Sequence, residues 1–336
     1  MKKEKLKIAI NGLGRIGRLL FRYAFKEFDI VLINATSSAE DISYFLKYDS
    51  IHGIWDLPFT SQNQILKSQN QEIFCFQQKH PDLIPWDKHK VDIVFECTGK
   101  FKDKKDWDKA FSKGVQKVLV SAPCLMADFT LVYGVNHRQY EKSKHHFISN
   151  ASCTTNCLAP LISVLKDLCG LERVFFSTVH SYTNDQKLLD ASHKDLRRSR
   201  SAGLNIIPTN TGAGKMLSLI FPELKDKFYG LAYRVPTGNV SLVDLLVETK
   251  HKISLEEVKS TFKRKSDKDL KGILGYESLP LVSSDFTGRK ESSILDESLF
   301  ELKNQKYLKL VSWYDNEAGF TQRMLDFAKE ALSKKS

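Results

Sequence analysis

Cys153 and His180 are the two residues of this chain best placed to do covalent chemistry. Cys153 stands in SNASCTTNC at 149–157, between a β-type pair (Phe147, Ile148) and a helix-forming run through Leu161, Ile162, Val164 and Leu165. Ser152 reads as an N-cap, which places Cys153 in the first helical turn. Unpaired backbone N–H groups and the positive end of the helix dipole favour an anion there, so a thiol is drawn toward thiolate, its nucleophilic form. A buried cysteine can equally be a structural hydrophobe. The helix-start position, the small flanking residues and a histidine downstream favour the nucleophile. His180 follows a β-rich run at 173–178 and opens HSYTNDQ. A histidine at a strand end is often structural, but here a nucleophile is available to pair with it.

Other segments must position this pair. Residues 6–17 read LKIAINGLGRIG and lead into a helical pattern from Arg18. Gly12, Gly14 and Gly17 form G-x-G-x-x-G between a strand and a helix, the context in which that spacing indicates dinucleotide binding. Gly12 allows the tight turn, Gly14 lets backbone approach a pyrophosphate, and Gly17 packs helix against strand. A second strand is predicted at 30–34. A NAD site normally has an acid at its end, but this chain continues Ala35-Thr36-Ser37-Ser38. Absence of a carboxylate removes repulsion against a 2′-phosphate, and the hydroxyls offer donors to it. This points to NADP, or to use of both cofactors, unless the loop is simply a solvated turn.

Further strands are predicted at 91–99 and 115–123, with Thr98, Gly99 and Ser121 at their ends, where a doubly wound sheet lines its crevice. PTNTGAGK at 208–215 resembles an anion cradle without the Walker spacing. Arg234 precedes a long strand at 241–249 and can hold a phosphate or pair with a carboxylate. Arg197, Arg198 and Arg200 lie in a short polar segment without stacking aromatics, which reads better as an ordered loop near phosphates or a subunit contact than as a nucleic-acid site. A strand at 308–313 leads into a final amphipathic helix carrying Phe320, Met324, Phe327, Ala328 and Ala331 on one face.

Composition sets the frame. The chain has 336 residues, 42% hydrophobic and 27% charged, which fits a globular enzyme of two domains. No apolar run approaches the ~20 residues that span a bilayer. The basic N-terminus lacks a signal-peptide core, so a cytoplasmic location is expected. Six cysteines without small-domain spacing do not form a disulfide framework. Cys153 and Cys157, four residues apart, lack further ligands, so no metal is expected. The net charge of +11 is spread along the chain and suits anionic substrates as well as it suits nucleic acid.

Together INGLGRIGR, KYDSIHG (47–53), SNASCTTNC, HSYTNDQ, HKDLRRSRS, RVPTGNVS and WYDNEAGF resemble, in order, the motifs of phosphorylating glyceraldehyde-3-phosphate dehydrogenases of bacterial type. The resemblance runs from Lys7 to the last helix. It implies an α/β fold: an N-terminal Rossmann domain at residues 1–152, completed by a C-terminal helix at 316–336, and an α+β catalytic domain with a largely antiparallel sheet at 153–315. It also implies a homotetramer that needs neither membrane nor nucleic acid.

The resemblance makes Cys153 the nucleophile and His180 the general base for oxidation of D-glyceraldehyde 3-phosphate, through a thioester that inorganic phosphate resolves. Thr183 and Arg234 would hold the substrate phosphate, and Ser152, Thr154, Thr211 and Gly212 the attacking one, with Asp185 and Arg198 in the same phosphate-binding group. Asn11, Gly12, Gly14, Arg15 and Ile16 would meet the pyrophosphate, and Thr98, Gly99 and Ser121 would line the crevice. Asn316 would orient the nicotinamide amide. Ala35, Thr36, Ser37, Lys79 and Ser192 complete the expected cofactor set.

Four departures from the family pattern stand out. Ala35 replaces the acid of NAD-specific members. Ala191-Ser192 replaces their Leu-Pro and resembles the NADP-using photosynthetic members. Ala318 and Phe320 occupy positions usually held by tryptophan and tyrosine, and Lys79 one often held by arginine. Competing readings are an erythrose-4-phosphate dehydrogenase, against which Thr183 argues, a non-catalytic nucleotide- or RNA-binding relative, and a cysteine hydrolase, which would not need the dinucleotide fold.

Overall fold

The computed structural model describes residues 5–57, 59–68 and 71–332. The chain forms two units. The first comprises Met1–Leu131, Asn136–Ala151 and Thr321–Ser336, the second Val132–Val135 and Ser152–Phe320.

The first unit begins with a buried apolar strand, β1 (Lys7–Asn11), a glycine turn, and α1 (Arg15–Ala24), which buries Gly17, Leu19, Leu20, Phe21 and Ala24 on one face. The chain continues through β2 (Asp29–Asn34), α2 (Ala39–Lys47), a small hairpin of β3 (Tyr48–Asp49) and β4 (Gly53–Ile54), then β5 (Thr60–Gln62), β6 (Ile65–Lys67), β7 (Glu72–Phe76) and β8 (Ile93–Glu96). Next come α3 (Asp108–Ser112), β9 (Lys117–Val120), β10 (Phe129–Thr130) and β11 (Phe147–Ser149). One nine-stranded sheet results, in the order β10-β11-β9-β8-β1-β2-β7-β6-β5, parallel from β10 to β7 and antiparallel at β6 and β5. The central strands β1, β8 and β9 are buried along nearly their whole length, as parallel strands covered on both faces must be. Trp86 and Trp107, both fully enclosed, anchor the core on one side of that sheet. The register sets Asn11 opposite both Asn34 and Glu96, so three polar side chains meet at the carboxyl ends of β1, β2 and β8.

The second unit opens with α4 (Cys153–Cys169), followed by β12 (Leu171–Ser181), β13 (Ile207–Thr209), α5 (Ala213–Ile220), β14 (Phe228–Val235) and β15 (Ser241–Thr249). After α6 (Leu255–Asp267) come β16 (Leu274–Glu277), β17 (Ser293–Asp296), β18 (Glu301–Lys303), β19 (Tyr307–Tyr314) and α7 (Ala318–Leu332), whose first turn belongs to the second unit and the remainder to the first. Its eight-stranded sheet runs β13-β14-β12-β15-β19-β17-β16, with β18 beside β19, and most of its neighbours are antiparallel. The exception that matters is β12 with β14: they are parallel, and their register pairs His180 with Arg234. α5 starts at Ala213, three residues earlier than the apolar run from Met216 implies, because the glycine-rich stretch itself forms the first turn.

Candidate active site

α4 begins where the sequence places it. Ser152 has extended backbone and its hydroxyl accepts from the Thr155 N–H at 3.0 Å, so Cys153 is the first helical residue. The entry is tight. Ala151 has φ 55°, a left-handed value that costs a non-glycine residue of order 1 kcal/mol and turns the chain sharply into the helix. Cys153 Sγ lies 3.4 Å from His180 Nε2. Burial pushes the thiol up from its ordinary range, while the Arg234 charge and the Thr154 N–H act against that rise. The helix start therefore does not by itself deliver a thiolate, because desolvation of the sulfur outweighs it.

His180 is itself buried and is pushed down to about 3, first by desolvation and then by the Arg234 charge, so its ring is neutral. Its Nδ1 has two neighbours, the Ser181 carbonyl oxygen at 2.7 Å and Arg234 Nη1 at 2.6 Å. Tyr314 supports the whole cluster, a role sequence reading missed. Its hydroxyl bonds Thr154 Oγ1 at 3.0 Å and Thr178 Oγ1 at 2.8 Å, and its ring meets the His180 ring edge-on at 6.0 Å. Thr178 and His180 are two apart on β12 and so share a face. A tyrosine ending an apolar strand next to Asp315 and Asn316 was the available signal.

The remaining expected residues of the second unit fall into distinct settings. The Thr183 N–H and hydroxyl both donate to Gln186 Oε1, at 3.0 and 3.2 Å. Arg198 donates to Asp185 Oδ2 at 2.6 Å, to Thr209 Oγ1 and to the Asn210 carbonyl, so Asp185 and Arg198 pair with each other. Thr211 Oγ1 accepts from the Ala213 N–H beside Gly212, at the start of α5. Asn316 Oδ1 accepts from the Ser181 and Ser241 hydroxyls, which leaves its amide nitrogen facing the other way. Val240, just before Ser241, has φ 65°, an outlier for a β-branched residue that the surrounding core (Phe286, Ile294) enforces. Ser192 is exposed on the polar loop.

In the first unit the glycine turn behaves as its spacing predicts. Gly12 has φ 96°, and a Cβ there would come within 2.6 Å of the Thr98 nitrogen; one at Gly17 would lie 2.0 Å from the Gly12 carbonyl oxygen. A Cβ at Gly14 would meet nothing within 4 Å. Gly14 is the N-cap of α1, makes no side-chain cap, and no acid occupies the first turn. This is a helix start open to an anion, the fit a dinucleotide pyrophosphate requires. Arg15 beside it, on the partly buried first turn with Ile16, pairs with Asp49 at 2.5 Å.

Asn11 does not point outward. Its Nδ2 donates to Glu96 at 2.5 Å and its Oδ1 accepts from Asn34 at 2.7 Å. Glu96 also accepts from the Thr98 N–H at 2.7 Å and from the Thr98 hydroxyl, which leads into Gly99 (φ 72°). Burial pushes Glu96 up to about 7 against these donors. Sequence reading missed Glu96 because one acid closing an apolar strand gives no periodicity signal. Ser121 is half-buried, and the Cys97 thiol next to Glu96 contacts its side chain. Ala35 to Ser37 form the turn after β2, and Lys79 is exposed. Of the three hydroxyls offered there, Ser38 is committed to capping α2: it accepts from the Asp41 N–H and donates to the Asp41 carboxylate. The capping box thus brings an acid closer to this turn than linear spacing implies.

All six cysteines are free. Among the described residues no group of three or more His, Cys, Asp or Glu side chains could hold a metal ion, and no helix is long and apolar enough to cross a membrane.

A doubly wound sheet with an open glycine cradle and a second unit carrying an enclosed thiol–imidazole pair define a nucleotide-dependent oxidoreductase. Comparison with known proteins narrows this. Residues 6–104 match "Glyceraldehyde 3-phosphate dehydrogenase, NAD binding domain" and residues 152–316 match "Glyceraldehyde 3-phosphate dehydrogenase, C-terminal domain". The chain is 46% identical over 330 residues to glyceraldehyde-3-phosphate dehydrogenase 1 of Bacillus cereus, covering 98% of this chain and 99% of that one. It is 46% identical over 331 residues to the Geobacillus stearothermophilus enzyme, with the same coverage, and 43% identical over 325 residues to that of Streptomyces coelicolor, covering 96% and 97%. The chain belongs to the glyceraldehyde-3-phosphate dehydrogenase family, NAD(P)-dependent phosphorylating oxidoreductases that act on an aldehyde group.

Proposed function

We propose that this chain oxidises D-glyceraldehyde 3-phosphate with inorganic phosphate to 1,3-bisphosphoglycerate through a thioester on Cys153. The observation that carries this is the 3.4 Å approach of Cys153 Sγ to His180 Nε2 with Arg234 alongside, in a chain of this family. Cys153 Sγ adds to the aldehyde carbon, and the thiol proton passes through His180 Nε2 to the carbonyl oxygen, giving a hemithioacetal hydroxyl. The oxygen formed is held by the Cys153 backbone N–H at the start of α4 and by His180. His180 then takes the hydroxyl proton as hydride leaves, and the thioester remains for phosphate to attack. Arg234 and Thr183 bind the substrate phosphate. Ser152, Thr154, Thr211 and Gly212 serve the attacking phosphate, with the Asp185–Arg198 pair holding the loop beside them. The hydroxyls of Thr154 and Ser152 have partners within the protein from which they can accept, which leaves each O–H to donate to that phosphate.

The dinucleotide supplies a hydride acceptor when bound. Asn11, Gly12, Gly14, Arg15 and Ile16 would hold its pyrophosphate, Thr98, Gly99 and Ser121 would line its site, and Asn316, its oxygen already occupied by two serines, would offer its N–H₂ to the nicotinamide amide. Ala35, Thr36, Ser37, Lys79 and Ser192 support use of NADP or of both cofactors, since no acid directly follows Asn34. We assign the dinucleotide-binding domain to residues 1–152 with 316–336 and the catalytic domain to 153–315, in a cytoplasmic homotetramer. The second sheet supports assembly: Phe175, Tyr229, Leu231 and Leu246 expose 41–50% of their surface on one apolar face, with Phe175 stacked on Tyr229 at 4.9 Å.

Initial rates with glyceraldehyde 3-phosphate and phosphate, run with NAD and with NADP, test the reading. Turnover with NADP comparable to or faster than with NAD is expected. Turnover with NAD alone would overturn the cofactor assignment, and silence with both, but not with erythrose 4-phosphate, would overturn the substrate. Ala35→Asp combined with Ser192→Pro is expected to shift the kcat/KM ratio toward NAD by about tenfold or more, roughly 1.4 kcal/mol or greater. An unchanged ratio refutes the two-position account.

A further inference from the structure

One end of the Asn316 amide is filled and the other is empty. Its Oδ1 accepts from the Ser181 hydroxyl at 2.8 Å and from the Ser241 hydroxyl at 3.0 Å, which uses both lone pairs of a carbonyl oxygen. Its Nδ2 meets no acceptor among the described residues. An amide has nearly the same shape when turned over, so its direction follows from a count of protons. Ser241 Oγ already accepts from the Ser181 N–H at 3.1 Å. With the amide turned over, Nδ2 would donate to both hydroxyls, and their own protons would then need acceptors. The only oxygen left to each is that of the other serine, 3.5 Å away. At least one hydroxyl proton would lack a partner, and both serines are buried, so that state is disfavoured. With Oδ1 inward, every proton of the group has an acceptor.

The frame around this amide is rigid. β15 pairs with β19 so that Ser241 stands opposite Tyr314, two residues before Asn316. It pairs with β12 so that Leu242 stands opposite Val179, two residues before Ser181. The Asp315 carboxylate fixes the backbone beside Asn316 by accepting from the Glu317, Ala318 and Gly288 N–H groups and from Asn239 Nδ2. Val240, at φ 65°, delivers Ser241 in a conformation that a β-branched residue holds only where its surroundings over-determine it.

We propose that Ser181 and Ser241 are positioning residues that make Asn316 a donor only, so that it selects a ring substituent that accepts a hydrogen bond and rejects one that only donates. This rests on the assignment of Asn316 to the nicotinamide amide made above. An unrestrained asparagine can present either edge. A carboxamide, which both donates and accepts, pairs with either edge, and its direction would then be left open. The two serines remove that ambiguity before a ligand arrives, by holding the oxygen inward and leaving the N–H₂ to a carbonyl.

Calorimetric binding to the full-length protein tests this with two analogues: 3-acetylpyridine adenine dinucleotide, whose ring substituent only accepts, and 3-aminopyridine adenine dinucleotide, whose substituent donates. The wild type is expected to bind the acetylpyridine form at least about tenfold more tightly. In Ser181→Ala combined with Ser241→Ala the amide can turn its oxygen outward, and that ratio should fall at least about threefold. A wild-type ratio near one overturns the proposal. So does an unchanged ratio in the serine variant, the result expected if the serines only support the fold and both analogues weaken alike. Asn316→Ala separately tests the underlying assignment: if it leaves the affinity for the acetylpyridine form unchanged, Asn316 does not meet the ring substituent and that assignment falls instead. Neutron diffraction from deuterated wild-type crystals reads the amide directly and stands even if the variants do not fold. Both serine deuterons should point at Asn316 Oδ1; an Asn316 Nδ2 deuteron pointing at either serine overturns the lock.

Discussion

Two helix starts in this protein use the same physics for opposite ends. α1 begins at Gly14 with no side-chain cap, no acid in its first turn and open space where a Cβ would project. α4 begins at Ser152, whose hydroxyl caps the Thr155 N–H, and its first residue is the thiol. Both present first-turn N–H groups that have no partner within the helix and a positive dipole end. The first leaves them for a ligand anion. The second satisfies part of its demand internally and turns the rest on a side chain of its own. The comparison shows why a glycine serves one site and a serine the other: a ligand needs room, whereas a nucleophile needs a fixed backbone.

The largest effect expected on this contrast is at the thiol. Cys153→Ser should lower turnover by on the order of 10⁴-fold or more while dinucleotide binding, measured by fluorescence quenching, is retained; wild-type turnover would remove Cys153 from the chemistry. Next come the glycines, which separate packing from access. Gly17→Ala forces a Cβ to 2.0 Å from the Gly12 carbonyl and is expected to destabilise the fold by about 2–3 kcal/mol in urea titration. Gly14→Ala has φ −74° and no steric neighbour, so stability should hold while dinucleotide affinity drops by about tenfold. Equal stability losses in the two variants would erase the distinction.

Ser152→Ala should cost about 1 kcal/mol, the worth of one cap, and shift the pH profile of Cys153 alkylation because the first turn loosens. A wild-type melting curve would show that the cap is redundant.

The smallest effect is in the first unit's polar cluster. Glu96 is pushed up by burial to about 7 from its ordinary 4.5, so between those values the native state binds more protons than the unfolded chain, and stability falls as pH rises through that window. Glu96→Gln should flatten that slope. A slope of wild-type steepness would place its origin elsewhere.

Much of this was legible in the linear chain because it rests on local rules. The glycine spacing between strand and helix, the cap and first turn around Cys153, and the strand at 241–249 each depend on a few neighbouring residues and backbone geometry. What was not legible depends on pairing between distant strands. Nothing in HSYTNDQ and RVPTGNVS places the His180 ring against Arg234; the parallel register of β12 and β14 does. The context of Tyr314 marks it only as a tyrosine closing an apolar strand; that its hydroxyl braces two threonines from separate elements, and that Asn11 bonds Asn34 and Glu96, follows from packing and register.

Desolvation is likewise a tertiary property. The helix start alone argues for a thiolate, yet enclosure pushes the thiol the other way, and the Arg234 charge that opposes this comes from another strand. The sequence by itself determined which residues carry chemistry and which backbone turns could be made, since side-chain type and local sterics suffice for that. Only the tertiary structure decided their protonation and their partners. Those quantities depend on burial and on distances that no local stretch of chain contains.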